Sequence, residues 1–281
     1  MLPAGTDDLI RRALIEDIGE GDHTALSTIP AAARGAARLL VKQNGVLAGV
    51  ELAEAICAYF DPALRVRVLL QDGAAVKNGD VAFTLTGPAR SILTAERTIL
   101  NFMQRMSGIA TLTRLFVDAL DGTGCKVLDT RKTTPTLRSI EKWAVRIGGG
   151  HNHRHGLYDM VMIKDNHTDF AGGIPEAVRS CQRYLADLGL QLPIEVETRN
   201  LHEVSIALSV PGIQRIMLDN FGFDDLSKAV RMINGSCETE ASGGITLANA
   251  RAYAECRVDF ISVGALTHSA GSIDLSLKAM I

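Results

Sequence analysis

Six short apolar runs, recurring from about residue 124 onwards, constrain what this chain can fold into more than any other feature. They are Cys125–Leu128, Met160–Ile163, Ile194–Val196, Arg215–Leu218, Glu238–Ala241 and Phe260–Val263. Segments with helical spacing separate most of them. In Leu226–Ile233, for example, Leu226, Ala229, Val230 and Ile233 fall at i, i+3, i+4 and i+7. Strands alternating with helices imply parallel pairing, because a crossover helix is the usual way to return the chain. Six such units suit either an open doubly wound sheet or a barrel, and periodicity does not choose between them.

Upstream the texture differs. A helical opening, Asp7 to Ile18, leads into strand-like runs such as Ala37–Val41 and Val81–Leu85, with glycine turns between them. Ala95–Leu120 reads as one or two helices with Gly108 as the single break. The stretch Asp72-Gly73-Ala74-Ala75-Val76-Lys77-Asn78-Gly79-Asp80 looks like the turn of a biotinyl or lipoyl domain, but Lys77 sits in the wrong part of it for an acceptor lysine. A small β-sandwich element that uses glycine for positive φ is the plainer expectation.

A length of 281 residues with 47% hydrophobic content allows one or two domains and a large core. A net charge of -3 argues against a general nucleic-acid binder. No apolar stretch approaches the roughly 20 residues of a membrane-spanning helix, and the start lacks the basic-then-apolar order of a secretory signal. Five scattered cysteines (Cys57, Cys125, Cys181, Cys237, Cys256) suit a reducing compartment. A cytoplasmic protein with neither nucleic-acid nor membrane partners is expected.

The chemistry lies at the C-terminal end of each apolar run. The first ends in Asp129-Thr130-Arg131-Lys132-Thr133-Thr134-Pro135, the second in Lys164-Asp165-Asn166-His167 and the third in Glu197-Thr198-Arg199. Asp219-Asn220, Ser242-Gly243-Gly244 and Gly264-Ala265 come after the others. In a parallel barrel the strand C-termini converge on one mouth, so these residues would meet in space. Arg131, Arg154, Lys132 and Lys164 are donors for phosphate or carboxylate. Glu197 and Asp219 suit sugar hydroxyls and a hard ion such as Mg2+. Ser242-Gly243-Gly244 precedes Ile245-Thr246 and a helix, which suits a phosphate at that helix's N-terminus. His151, His153 and His155 alternate, which invites a zinc reading. Arg154 between them opposes it, and anion binding by His153 and Arg154 is preferred; solvated loop positions are one alternative for His151 and His155, whose roles, like that of His268, stay open.

These segments together resemble the quinolinate phosphoribosyltransferase family over nearly the whole chain. The resemblance begins at Glu16-Asp17-Ile18-Gly19-Glu20-Gly21-Asp22-His23-Thr24 and includes Ala95-Glu96-Arg97-Thr98-Ile99-Leu100-Asn101. Its most specific parts are Thr130-Arg131-Lys132-Thr133-Thr134-Pro135, Asn152-His153-Arg154 and Ile163-Lys164-Asp165-Asn166-His167. It closes with Glu195-Val196-Glu197, Leu218-Asp219-Asn220, Ala241-Ser242-Gly243-Gly244-Ile245 and Val263-Gly264-Ala265-Leu266-Thr267-His268-Ser269. One departure is Thr136, where the family pattern usually has glycine.

The resemblance implies an N-terminal α/β sandwich-like domain (1–106, with 267–281 packing back on it) and an incomplete, six- or seven-stranded parallel α/β barrel (107–266). It implies transfer of phosphoribosyl from phosphoribosyl pyrophosphate to quinolinate with loss of CO2, with Mg2+ and no organic cofactor. Lys132, Lys164, Glu197 and Asp219 would be catalytic. Arg131, His153, Arg154, Lys164 and Arg97 of the partner subunit would bind the carboxylates, and Lys132 the pyrophosphate. Thr130 would join this substrate site. Glu197 and Asp219 would hold the ribose hydroxyls, directly or through Mg2+, and Ser242, Gly243, Gly244, Val263 and Gly264 the 5-phosphate. A homodimer sharing its sites through Arg97 is implied, with a hexamer of three dimers left open. Four alternatives stand beside this reading: a nicotinate-specific paralogue, a molybdenum-transport-associated paralogue, a non-catalytic phosphoribosyl-pyrophosphate-binding dimer, and a metal hydrolase built on the histidines.

Overall fold

The computed structural model describes residues 2–280. In chain order its elements are α1 (Thr6–Ile18), α2 (His23–Thr28), β1 (Arg34–Val41), β2 (Gly45–Val46), α3 (Val50–Phe60), β3 (Arg65–Val68), β4 (Ala75–Val76), β5 (Val81–Pro88) and α4 (Ala89–Ala119). Then come β6 (Lys126–Leu128), α5 (Arg138–Ile147), β7 (Val161–Ile163), α6 (Asp165–Ala171), α7 (Ile174–Asp187), β8 (Ile194–Thr198), α8 (Leu201–Leu208) and β9 (Arg215–Asp219). The last are α9 (Phe223–Ile233), β10 (Glu238–Ser242), α10 (Ala250–Glu255), β11 (Phe260–Ser262), α11 (Ala265–His268) and β12 (Leu275–Met280). They form two compact units: one from the chain up to Arg114, Thr134–Gly149 and the chain from Ser269, the other from Leu115–Thr133 and Gly150–His268.

In the first unit a four-stranded antiparallel sheet runs β12-β1-β5-β3. β1 alternates Ala37, Leu39 and Val41 inward, the period-2 burial of a half-covered strand. The Asp72–Asp80 stretch forms β4, paired with β2, and Asp72 accepts hydrogen bonds from the N–H groups of Val50 and Glu51 at the start of α3. It is a structural turn that caps a helix, and Lys77 N–H closes it by donating to Asp80.

Gly108 does not break α4, which is one helix of 31 residues. A Cβ at Gly108 would collide with the carbonyl of Gly271 and lie 3.2 Å from Ser272 Cα, so glycine serves close backbone packing here. Alanine normally favours a helix interior over glycine by about 1 kcal/mol. At this site the collision is with backbone that has no rotamer to escape to, and it dominates. Gly108→Ala should therefore destabilise the protein by about 1–3 kcal/mol, read as a lower Tm in a thermal melt. A raised Tm would show that the 271–272 backbone yields. Thr136, close in sequence to the basic residues 131 and 132, has φ 70°, a left-handed conformation that costs a residue with a Cβ about 1–2 kcal/mol.

In the second unit six parallel strands take the order β6-β11-β10-β9-β8-β7. Read in sequence, neighbours pair in turn from β7 to β11, and β11 then returns to β6. That closure makes the sheet a barrel with one seam, between β6 and β7, which decides the question periodicity left open. At the seam a length of irregular chain lies along β6. His151 N–H donates to Val127 O (2.9 Å), and Asp129 N–H donates to His151 O (3.1 Å). The helices form for local chemical reasons. α9 has Asp224 and Asp225 in its first turn, Arg231 in its last, and left-handed Asn234 (φ 46°) at its end, matching the helix dipole and the usual stop. Its buried face is Leu226, Ala229 and Ile233.

Candidate active site

A cavity of about 640 Å3 opens at the C-terminal mouth of the barrel. Thr130, Arg131, Lys132, His153, Arg154, Lys164, Glu197, Asp219, Ser242, Gly243, Gly244, Val263 and Gly264 all line it. Thirteen of the fourteen residues expected from the sequence are thus brought together. Arg97 is the exception: it lies exposed on α4 and does not line this cavity.

The strand order sorts these residues into sectors. Arg131 and Lys132 after β6, His153 and Arg154 on the seam chain, and Lys164 after β7 form a basic arc. Glu197 lies near the end of β8 and Asp219 at the end of β9, two adjacent strands. The glycine turns come after β10 and β11, which are also adjacent. In the basic arc, burial and then the neighbouring Arg131 guanidinium pull the Arg154 pKa below its usual value. Two guanidinium groups that weaken each other at a cavity wall are relieved by an anion between them. Lys164 Nζ reaches Glu197 Oε2 at 2.8 Å, joining the basic and acidic sectors. Lys132 is fixed through its main chain. Its N–H donates to Thr130 Oγ1 (3.0 Å), and its carbonyl accepts from Thr267 Oγ1 (2.8 Å).

Gly243 has φ 95°, and a Cβ there would collide with the Asn220 side chain, so the turn after β10 requires glycine twice over. The helix expected after Ile245-Thr246 begins later. Thr246–Asn249 form a turn held by Thr246 N–H to Asn249 Oδ1 (2.7 Å) and Asn249 Nδ2 to Gly244 O (3.1 Å), and α10 starts only at Ala250. A helix of six residues so displaced offers no N-terminal anion site, and the backbone of the turn itself faces the cavity.

The three histidines part company. His151 is exposed and pairs through its backbone along β6, while His155 N–H donates to Asp159 Oδ2 (2.6 Å). His153 alone turns inward, where its Nε2 lies 2.9 Å from Glu195 Oε2 and 3.4 Å from Glu240 Oε2. Burial disfavours charge on this ring and the acids Glu195 and Glu240 favour it, but Nδ1 accepts the Arg154 N–H at 2.7 Å, so the ring is the neutral tautomer with its proton on Nε2, toward the acids. Among the described residues this is the one set of three metal-ligating groups close together. It does not fit zinc: Arg215 already sits 3.0 Å from Glu240 Oε2, so two carboxylates are balanced by Arg215 and one proton. A divalent ion would leave surplus positive charge in the barrel. Glu197 and Asp219 do fit Mg2+, which takes one or two carboxylates and completes its shell with water and substrate phosphates.

Among the lining residues not expected as site residues are Glu240, Ser262, Met162 and Met217. A positional signal was present for two of them. Glu240 shares a strand face with Ser242, and Ser262 stands one position before Val263.

Comparison with known proteins agrees with this geometry. Models of the quinolinate phosphoribosyl transferase family match residues 22–107 with its N-terminal domain and 109–278 with its C-terminal domain. The carboxylating nicotinate-nucleotide pyrophosphorylase of Arabidopsis thaliana chloroplasts is 49% identical, over 96% of this chain and 81% of its own. The crystal structure of NadC from Streptococcus pyogenes superposes with a TM-score of 0.94 at 36% identity, over 100% of this chain and 99% of that one. The nicotinate-nucleotide pyrophosphorylase structure from Francisella tularensis gives 0.92 at 40% identity, over 98% and 96%. Both domains, the barrel with its seam and the order of its strand-end residues make this chain a member of the quinolinate phosphoribosyltransferase family.

Proposed function

We propose that this chain joins quinolinate to phosphoribosyl pyrophosphate with loss of CO2, giving nicotinate mononucleotide and pyrophosphate, and that the barrel mouth is where it does so. One observation carries the reading: a basic arc, an acidic pair and two glycine turns succeed one another around a single cavity. That succession fits a ring dicarboxylate, a ribose and a phosphate laid across the mouth.

In this reading Arg131, Arg154 and Lys164 hold the two carboxylates of quinolinate, with Arg97 of the partner subunit completing the set in a homodimer. Charge-assisted bonds of this kind are the strong ones, and four basic groups exceed what a single carboxylate needs. Both ring nitrogens of His153 are already engaged, by the buried acids and by the Arg154 N–H, so the binding role expected of His153 becomes one of setting Arg154. Lys132 stands between that arc and the turn at Gly264, where a Cβ would touch its Cδ at 3.0 Å, and so suits the pyrophosphate. Ser242–Gly244 and Val263–Gly264 take the 5-phosphate through backbone groups. Glu197 and Asp219 face the ribose hydroxyls and would hold Mg2+, whose bound form spreads the charge of departing pyrophosphate.

The ring nitrogen attacks the anomeric carbon as the bond to pyrophosphate breaks. Positive charge that grows on the ribose at that moment is stabilised by Glu197 and Asp219. The pyridinium then draws in the electron pair of the adjacent C–CO2 bond, CO2 leaves, and the ring carbon takes up a proton. No nucleophile or general base on the protein is required, and positioning with fixed charge is the enzyme's contribution. The five free cysteines suit a cytoplasmic setting; among the described residues no helix is long and apolar enough to cross a membrane.

The test is direct. Purified protein with phosphoribosyl pyrophosphate, Mg2+ and either quinolinate or nicotinate should give mononucleotide and CO2 from quinolinate only, detected by mass. Product from nicotinate alone would mean a paralogue with another acceptor. EDTA should abolish turnover and added Mg2+ restore it; turnover that persists in EDTA would remove the metal from the scheme.

A further inference from the structure

Inside the barrel, from the cavity wall at Glu240 inward, lies a group of charges that the reaction as assigned does not use. Glu195 on β8 and Glu240 on β10 are fully buried, and Arg215 on the intervening β9 is nearly so. We infer that Glu195 and Glu240 are positioning residues for dicarboxylate recognition: from within the barrel they hold the His153 ring, and through it the Arg154 main chain, against the substrate.

The geometry of His153 supports this. Its ring is held on both edges, by the two acids at Nε2 and by the Arg154 N–H, which donates to Nδ1 at 2.7 Å. Its own N–H donates to Asp129 Oδ1 at 2.9 Å, and Asp129 is itself fully buried just beyond β6. A continuous chain of contacts therefore runs from the barrel interior to the residue whose guanidinium meets the cavity. Arg215 completes it from below. Its guanidinium reaches Glu240 at 3.0 Å and Glu238 at 2.8 Å and rests 4.3 Å over the Phe260 ring. Ser262 of β11 adds a hydrogen bond to Glu240, and Arg131 approaches Arg154 from the cavity side.

Stability does not explain the acids. Burying each carboxylate costs several kcal/mol, and apolar side chains of similar size at such positions are often neutral or stabilising. Met217, buried on the same face of β9 as Arg215 and paired with Glu240, shows that this face accepts an apolar side chain. Charge has been kept where one histidine touches it.

The proposal rests on the quinolinate reading, and its test separates the two. Steady-state kinetics and calorimetry on wild type, Glu195→Gln, Glu240→Gln and the double variant give KM for each substrate and Kd for quinolinate. The quinolinate KM and Kd should rise about 10- to 100-fold in the double variant, the size seen when the partner behind a ligating histidine is removed. The KM for phosphoribosyl pyrophosphate should stay within about 2-fold, a split that a general structural loss would not produce. Unchanged quinolinate affinity, or equal loss for both substrates, overturns the proposal while an active wild type leaves the reaction standing. An inactive wild type overturns the reaction instead. Should the variants not fold, a titration of 15N-histidine-labelled wild type decides. Phthalate, a ring dicarboxylate with no nitrogen to react, should shift the His153 ring resonances, and phosphoribosyl pyrophosphate alone should not. A His153 ring that ignores phthalate overturns the proposal whatever the assay gives.

Discussion

Replacing Lys164 by alanine should lower turnover by on the order of 10²- to 10³-fold with the fold intact, the usual effect of removing one donor that stabilises transition-state charge. The side chain is 45% exposed and its ammonium meets Glu197 at the cavity wall, so its contact contributes little to stability. The main-chain features of Lys164 survive the change: its N–H donates to His167 Nδ1 (2.9 Å), and its carbonyl accepts from Thr168 Oγ1 (3.1 Å). The loss is concentrated in the site. Glu197 would be left at 9% exposure without its cation, next to incoming phosphate and carboxylate groups. Initial rates should fall while Tm stays within a few degrees. Wild-type rates would remove Lys164 from the machinery.

Arg215→Met should have the largest effect on stability, about 3–5 kcal/mol, because it leaves Glu240 buried beside Glu195 with no compensating cation. Urea unfolding would show the loss as a lower midpoint at unchanged slope. Adding Glu240→Met to Arg215→Met should recover much of it, since the uncompensated charge goes too. Quinolinate affinity should stay low in that pair, because His153 has lost a contact. A cost below about 1 kcal/mol for Arg215→Met would show that the acids simply take up a proton.

The division between what the sequence reveals and what it hides has physical causes. Strand positions were legible because β6 to β11 are short apolar runs, and their polar successors had to gather wherever the strand ends gathered. Barrel against open sheet was not legible, because the difference is one long-range pairing, β11 with β6, which leaves no mark on either run. Gly108 looked like a break because helix propensity is local, whereas the demand for glycine comes from Gly271, over a hundred residues away. The helix expected after Thr246 starts only at Ala250 because Asn249 diverts the chain into a turn first. Glu240 escaped notice because a buried acid in an apolar run reads as a strand edge until its partner, His153, is seen across the barrel.

The seam between β6 and β7 gives the barrel a removable stave. His153 and Arg154 ride on irregular chain that borrows two hydrogen bonds from β6, while the acidic and glycine-bearing stations stand on the continuous strands β8 to β11. On the proposed reading, acceptor and donor are thereby written on separate pieces of the scaffold, and residues around 150–160 can be rewritten to admit a different acid ring while the residues assigned to ribose and phosphate stay as they are.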